Sequence, residues 1–396
     1  MLKAKSPQLV SITGSEAVAT AAKQANVDFV AAYPITPQTI IVERFSDFVA
    51  NAETKAAFVN VESEHSALSA CVGASLAGGR TFTATSSQGL ALMHEVLYLA
   101  SGLRCPIVMA VANRALSAPI NIHGDHSDMM GSRDSGWIQL YVENAQEAYD
   151  YVFQAYKVAE DERVSLPLTV NLDGYVITHS TEALSPIEDD AVGKFLPPRL
   201  TKLVLDTSKP MTFGPLVLPD YYFEFKRQQE EAMRSVPQVF DEVARDFTDL
   251  TGRDYSQVSS YGLEDAKVAL VSLGSSSGTI RWVAKNLRKQ GLLVGAMKVS
   301  LYRPFPHEQV GKLLQAVEVV AVMERALSPG SHCGPLASDI VCSLYNRSEQ
   351  PKVVDVFYGL GGRDLSPGDV EKIFRGGLEA ASGPPGFDVE FAGVRE

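Results

Sequence analysis

The sequence predicts an α/β protein built on two parallel sheets in tandem, and three observations carry that reading. Short apolar runs alternate with helix-like stretches through the first 180 residues, as strands covered on both faces do. A second alternation of the same kind starts near Lys267. Chemically rich turns fall where the apolar runs stop, at the strand ends where open parallel sheets bind ligands.

Length and composition bound the rest. At 396 residues the chain exceeds one ordinary core. Its 45% hydrophobic and 21% charged residues are those of a globular protein. A formal net charge of -12 argues against nucleic acid as a main partner, because phosphate binding needs a basic face. Met1–Pro7 lacks the apolar run of a leader, and no apolar stretch reaches membrane length, so a cytoplasmic protein is expected. Cys71, Cys105, Cys333 and Cys342 are far apart, without Cys-x-x-Cys spacing. Buried thiols are expected, and no iron–sulfur cluster on this chain.

Residues 9 to 26 read as a strand fragment and a helix opening at Gly14-Ser15-Glu16, with Ala17, Ala21 and Ala25 on one face. Phe29–Tyr33 is a strand, ended by Pro34 and Pro37. Thr36, before a proline, is biased to extended backbone, and Pro37 fits the first position of a helix through about Val49. The Thr36 hydroxyl and amide then sit at a helix N-terminus, suited to a carboxylate ligand; N-capping explains the residue equally well. Ala57–Val61 is the next strand, followed by Glu62, Glu64 and a helix from Ala67 to Gly79. Glutamates in that position commonly serve as caps.

Thr81–Thr85 is a third strand, and Ser86-Ser87-Gln88-Gly89 opens a helix through about Ser101. Pro106–Val111 is a fourth, with Arg114 just past its end, where a guanidinium could grip a substrate carboxylate or pair with an internal aspartate. Residues 115 to 136 form a long irregular segment, a length that is commonly functional. Within it, His123-Gly124-Asp125-His126-Ser127-Asp128 raises a metal reading, but no helical ligand spacing supports it, and no metal is expected. Ala145–Glu160 is a helix and Leu166–Asn171 a strand, ending at Asp173-Gly174. No Gly-x-Gly-x-x-Gly or phosphate-loop motif occurs.

Residues 181 to 222 read as a connecting arm, and Val236, Val239, Phe240, Val243 and Phe247 as one face of an amphipathic helix. The second unit has strands Val268–Leu273, Val294–Val299 and Val317–Met323, with a turn at Arg303–Pro306. Gly274–Gly278 suits either a phosphate or a plain strand–helix turn. Gly359–Asp364 follows what reads as the last strand. The division expected is 1–180, a connecting arm and helix over 181–255, and a smaller unit over 256–396.

Taken in order, these pieces resemble the alpha subunit of the multi-subunit 2-oxoacid:ferredoxin oxidoreductases of the pyruvate synthase type. The resemblance rests on Tyr-Pro-Ile-Thr-Pro at 33–37, Val-Glu-Ser-Glu-His-Ser-Ala at 61–67 and Thr-Phe-Thr-Ala-Thr-Ser-Ser-Gln-Gly-Leu at 81–90. It continues through Leu-Met-His-Glu-Val-Leu at 92–97, Asn-Arg-Ala-Leu-Ser-Ala-Pro-Ile-Asn-Ile at 113–122, Asp-His-Ser-Asp at 125–128 and Ser-Arg-Asp-Ser-Gly-Trp-Ile-Gln at 132–139. Tyr-Arg-Pro-Phe-Pro at 302–306 and Gly-Leu-Gly-Gly-Arg-Asp at 359–364 extend it to the second unit.

The resemblance implies a pyrimidine-type thiamine-diphosphate domain followed by a transketolase-C-like domain. It implies oxidation of a 2-oxo acid, with coenzyme A taking the acyl group and ferredoxin the electrons. Thiamine diphosphate would be shared with a beta subunit, with Mg2+ and [4Fe-4S] clusters on beta, gamma and delta partners. Glu64 matches the carboxylate against the pyrimidine ring nitrogen, which favours the imino tautomer that takes the thiazolium proton; Glu62 matches no such role. That enclosed carboxylate is expected to have a perturbed pKa. Thr36 and Arg114 match the positions that hold the substrate carboxylate. Pro34, Ile35, Ser87 and Gln88 fall beside the cofactor. Threonine at 36 fits a mono-acid with a small side chain, pyruvate first and branched-chain 2-oxo acids second. A scaffold that keeps the fold without the chemistry is the other class, and intact Thr36, Glu64 and Arg114 argue against it.

Overall fold

The computed structural model describes residues 9–201, 204–383 and 387–395; Met1–Pro7, read above for a leader, lies outside them. The first sheet has seven strands in the order Leu301–Arg303, Ile138–Tyr141, Leu168–Asp173, Val108–Asn113, Thr81–Thr85, Phe29–Ala32 and Ala57–Asn60. The last six are mutually parallel, while Leu301–Arg303 arrives from far along the chain and pairs antiparallel with Ile138–Tyr141. Thr81–Thr85, Val108–Asn113 and Leu168–Asp173 are buried at every position; Val108–Ala112 is apolar throughout, while the other two alternate apolar with polar residues that are buried as well.

Helices cover both faces. Gly14–Gln24, Ala145–Ala159 and the 33-residue Pro219–Thr251 pack on one, with Phe45, Phe82, Val170 and Phe240 in a common core. Glu64–Leu76, Ser87–Leu92 and His94–Gly102 pack on the other around Leu68, Leu97 and Trp137. Each fully buried aliphatic side chain in these layers contributes roughly 1.5–3 kcal/mol.

The second sheet runs Phe387–Phe391, Lys352–Phe357, Val319–Glu324, Val268–Ser272, Val294–Val299, Val258–Tyr261, with Val258–Tyr261 antiparallel to its neighbour and the others parallel. A small antiparallel pair joins Val10–Thr13 to Thr181–Leu184.

Several expected boundaries move. The helix after Pro37 begins at Thr39, capped by Gln38, so Thr36 precedes the cap instead of sitting at the first turn. The helix expected from Ala67 begins at Glu64, because Ser63 is extended and its hydroxyl accepts from the Ser66 amide. The helix from Ser86 is two, meeting at Met93. The connecting arm contains a strand and the helix Asp189–Phe195. Ile138–Tyr141, Val258–Tyr261, Leu301–Arg303 and Phe387–Phe391 are strands the sequence reading did not anticipate.

Candidate active site

Every expected site residue lies on the carboxyl edge of the first sheet. Glu64 is the first residue of its helix, where the unsatisfied amides favour an anion. Its side chain is buried, and among the described residues its carboxylate has no hydrogen-bond or salt-bridge partner. The turn at Gly89 passes directly under it: a Cβ there would lie 2.5 Å from Glu64 Oε1 and 2.6 Å from Thr85 Oγ1. Only glycine lets this backbone approach so closely. Gln88 Nε2, on the same turn, is buried without a partner. Glu62 behaves differently: exposed, it takes the Ser66 hydroxyl, and that bond holds its carboxyl below the usual range.

The two residues expected to hold a substrate carboxylate touch each other. Arg114 Nη1 donates to the Thr36 carbonyl oxygen at 2.9 Å and Nε to the Asn121 carbonyl oxygen at 2.9 Å. This leaves Nη2 unpartnered among the described residues. Arg114 is buried, whereas Tyr33, Pro34 and Thr36 are exposed and Ile35 is half-buried. Gln38 ties the turn down: its Oε1 accepts from the Ile35 amide and its Nε2 donates to the Ala84 carbonyl.

Asp128 organises the floor. Its Oδ2 accepts from the Ser87 and Arg114 amides, each at 2.9 Å, and its Oδ1 from Asn113 Nδ2 and the Met129 amide. Burial pushes its carboxyl up to about 6, against the opposing pull of the Asn113, Arg114 and Ser87 donors. Ser87, at φ 47°, is fully buried, and its hydroxyl reaches the Ala115 carbonyl at 2.6 Å.

The residues behind the metal reading are used otherwise. His126 Nε2 lies 2.6 Å from Asp173 Oδ1, while Asp173 Oδ2 accepts from Arg325 Nη1 at 2.8 Å, the Ser275 amide at 2.9 Å and the Ser275 hydroxyl. These cations and donors hold the Asp173 carboxyl far below the usual range, overcoming its burial. The glycine–serine turn at 274–278 therefore cradles an internal carboxylate. His123 packs on the Tyr175 ring, and Asp125 accepts from Ser127. Among the described residues, no group of three or more His, Cys, Asp or Glu is arranged to hold a metal ion. Cys71 and Cys105 are buried as expected, which pushes both thiols up to about 12, whereas Cys333 is half-buried and Cys342 exposed, contrary to the expectation of four buried thiols. No described helix is long and apolar enough to cross a membrane.

Asp173, Arg325, Asn121 and Gln38 carry geometry that the sequence reading did not assign. Asp173 was visible as the polar end of a strand; the other three each have a partner far away in sequence (Ala84 for Gln38, Gly361 for Asn121, Asp173 for Arg325), which left no local signal.

A largely buried glutamate whose carboxylate has no partner among the described residues, on the same sheet edge as a fixed guanidinium, fits the ring nitrogen of thiamine diphosphate. The class defined is a thiamine-diphosphate-binding subunit of a 2-oxoacid:ferredoxin oxidoreductase. A family model described as pyruvate flavodoxin/ferredoxin oxidoreductase, thiamine diP-binding, matches residues 20–245. Another, pyruvate:ferredoxin oxidoreductase core domain II, matches residues 266–370. The chain belongs to the pyruvate flavodoxin/ferredoxin oxidoreductase family.

Among its relatives, pyruvate synthase subunit PorA of Thermotoga maritima is 51% identical over 368 residues, 92% of this chain and 93% of that one. Ketoisovalerate oxidoreductase subunit VorA of Pyrococcus horikoshii is 43% identical over 364 residues, 91% of this chain and 92% of that one. The solved 2-oxoglutarate:ferredoxin oxidoreductase of Magnetococcus marinus shares the fold, with a TM-score of 0.73 at 22% identity. The match covers 94% of this chain and 65% of that one.

Proposed function

We propose that this chain is the alpha subunit of a pyruvate synthase. The complex converts pyruvate, coenzyme A and oxidised ferredoxin to acetyl-coenzyme A, carbon dioxide and reduced ferredoxin, reversibly. The observation that carries the reading is Glu64, a largely buried residue above Gly89 whose carboxylate has no partner among the described residues, on the same sheet edge as the Arg114–Thr36 pair. Residues 1–180 take the pyrimidine end of the cofactor, 181–255 connect, and 256–396 form the transketolase-C-like unit. Beta, gamma and delta subunits complete the complex, with Mg2+ and [4Fe-4S] clusters on those partners, in the cytoplasm.

When bound, thiamine diphosphate supplies the electron sink for decarboxylation. Glu64 holds a proton at the pyrimidine ring nitrogen; a charge-assisted hydrogen bond there is worth about 1.5–3 kcal/mol. Arg114, buried and braced by two main-chain carbonyls, offers Nη2 to the substrate carboxylate, and the Thr36 hydroxyl offers a second donor. Pro34, Ile35, Ser87 and Gln88 wall the cofactor, with Ser87 fixing the turn and Gln88 Nε2 as its free donor. The exposed Tyr33-Pro34 edge is the side that the beta subunit covers.

The test is anaerobic co-purification of the complex, followed by coenzyme A-dependent ferredoxin reduction with pyruvate, 2-oxoisovalerate, 2-oxoglutarate and oxalate. Pyruvate is expected to give the highest kcat/KM. A preference for 2-oxoisovalerate would move the chain to the branched-chain reading that the VorA similarity favours, and inactivity on all four acids would overturn the catalytic reading.

A further inference from the structure

Nothing in the proposed chemistry requires a second α/β unit on this chain, yet that unit grips the irregular segment after Arg114 at four points. Asn121 Nδ2 donates to the Gly361 carbonyl at 3.0 Å, and the Gly361 amide donates to Asp125 Oδ2 at 3.2 Å. Arg325 Nη2 donates to the Gly124 carbonyl at 3.3 Å, and the His126 amide to the Arg325 carbonyl at 2.9 Å. The turn that makes the first two contacts is Gly359-Leu360-Gly361-Gly362, whose glycines all have positive φ. A Cβ at Gly361 would collide with Asn121 Nδ2, and one at Gly362 with His123 Cβ. The turn's backbone approaches the Asn121 and His123 side chains to a distance that a side chain of its own would forbid.

Asn121 stands between this turn and the substrate site. Its side chain is held on both ends, Nδ2 by Gly361 and Oδ1 by the His123 amide at 2.7 Å. Its carbonyl holds Arg114 Nε at 2.9 Å, and Arg114 in turn holds the Thr36 carbonyl. The hydrogen bonds thus run from Gly361, in the turn after the Lys352–Phe357 strand, through Asn121 to Arg114 and Thr36 without a gap.

We propose that Asn121 is a positioning residue of the substrate site, through which the Gly359–Gly362 turn of the second unit sets the orientation of the Arg114 guanidinium. The inference rests on the reading of Arg114 as the substrate-carboxylate clamp. A misaligned fork weakens ground-state and transition-state binding together, so the effect falls on KM and spares kcat.

The test is a double-mutant cycle in the intact complex with the preferred 2-oxo acid. Asn121→Ala is expected to raise KM about fivefold, the worth of one hydrogen bond, with kcat within about twofold. Asn121→Asp keeps Oδ1 for the His123 amide but turns an acceptor toward the Gly361 carbonyl, so its KM rises at least as far. In an Arg114→Ala background, Asn121→Ala changes KM by less than about twofold, because the group it acts through is gone. Equal effects with and without Arg114, or wild-type kinetics in Asn121→Asp, would overturn the inference while leaving the clamp in place. An Arg114→Ala variant of unchanged KM would remove the clamp reading, and this inference with it.

Discussion

Replacing Glu64 with glutamine separates the chemistry of the site from its stability. The Glu64 residue is 6% exposed, and its carboxylate has no partner among the described residues, though neither oxygen is fully shut off from solvent. Full burial of an unsatisfied group costs about 1–3 kcal/mol; a carboxylate that water still reaches bears only part of this, and a neutral amide of the same shape relieves part of that. Against it stands the loss of the charge–dipole term at the first helical position, about 0.3–1 kcal/mol. The two nearly cancel, and the thermal midpoint of the thiamine-free complex is expected to hold within about 4 °C. Turnover should nonetheless fall by about 10²–10⁴, the range for removing a positioned proton-transfer group. The assay pairs thermal unfolding without thiamine with ferredoxin reduction at saturating thiamine. A midpoint more than about 5 °C lower would show that Glu64 holds the fold together. A rate within about tenfold of wild type would show that it does not hold the proton.

Gly89→Ala places a methyl group 2.5 Å from Glu64 Oε1, so it should lower thiamine affinity by displacing the carboxylate; titration of the cofactor into the thiamine-free complex measures this. Asp355, fully buried with Oδ1 unpartnered, has a carboxyl that burial pushes up to about 6. A raised carboxyl costs nothing below the unfolded value near 3.9 and costs increasingly as pH climbs through about 6, reaching roughly 3 kcal/mol. Asp355→Asn should therefore stabilise at pH 8 and change little at pH 4, in denaturant titrations at the two pH values. Asp173 has the opposite sign: its depressed carboxyl contributes stability above about pH 4 that is lost as pH falls toward the folded value. Asp173→Asn strands Arg325 and should cost about 3–5 kcal/mol at neutral pH, with the gap to wild type narrowing in acid.

The strands buried on both faces could be read directly, since Val108–Ala112 announces itself as an unbroken apolar run and Leu168–Asp173 as an alternating apolar–polar one. The missed strands share a cause. Ile138–Tyr141 carries Gln139 in its middle and is a strand through its pairing with Leu168–Asp173 on one side and Leu301–Arg303 on the other, while Leu301–Arg303 runs into Pro304 and is a strand only because Ile138–Tyr141 lies beside it. Thr181–Leu184 likewise depends on Val10–Thr13, and no local pattern encodes a partner that distant. Helix starts slipped wherever a serine or glutamine cap lay ahead of the first apolar residue, as at Ser63 and Gln38. The site followed the same rule. Glu64, Thr36 and Arg114 stand in contiguous motifs and could be picked out by residue type. Asp173, Arg325 and Asn121 act through partners in the other sheet, so their roles emerge only from the folded chain.

The Leu301–Arg303 strand also bears on how the molecule is made. The first sheet's outer edge stays open until residue 303 has left the ribosome, long after its other six strands are available. Until then Ile138–Tyr141 presents unpaired amides and carbonyls, the kind of edge on which chains aggregate. A fragment cut near residue 250 would keep every expected site residue and still lack the strand that closes its sheet. Expression of the first unit alone should accordingly yield insoluble protein, and supplying residues 256–396 as a separate chain should recover it.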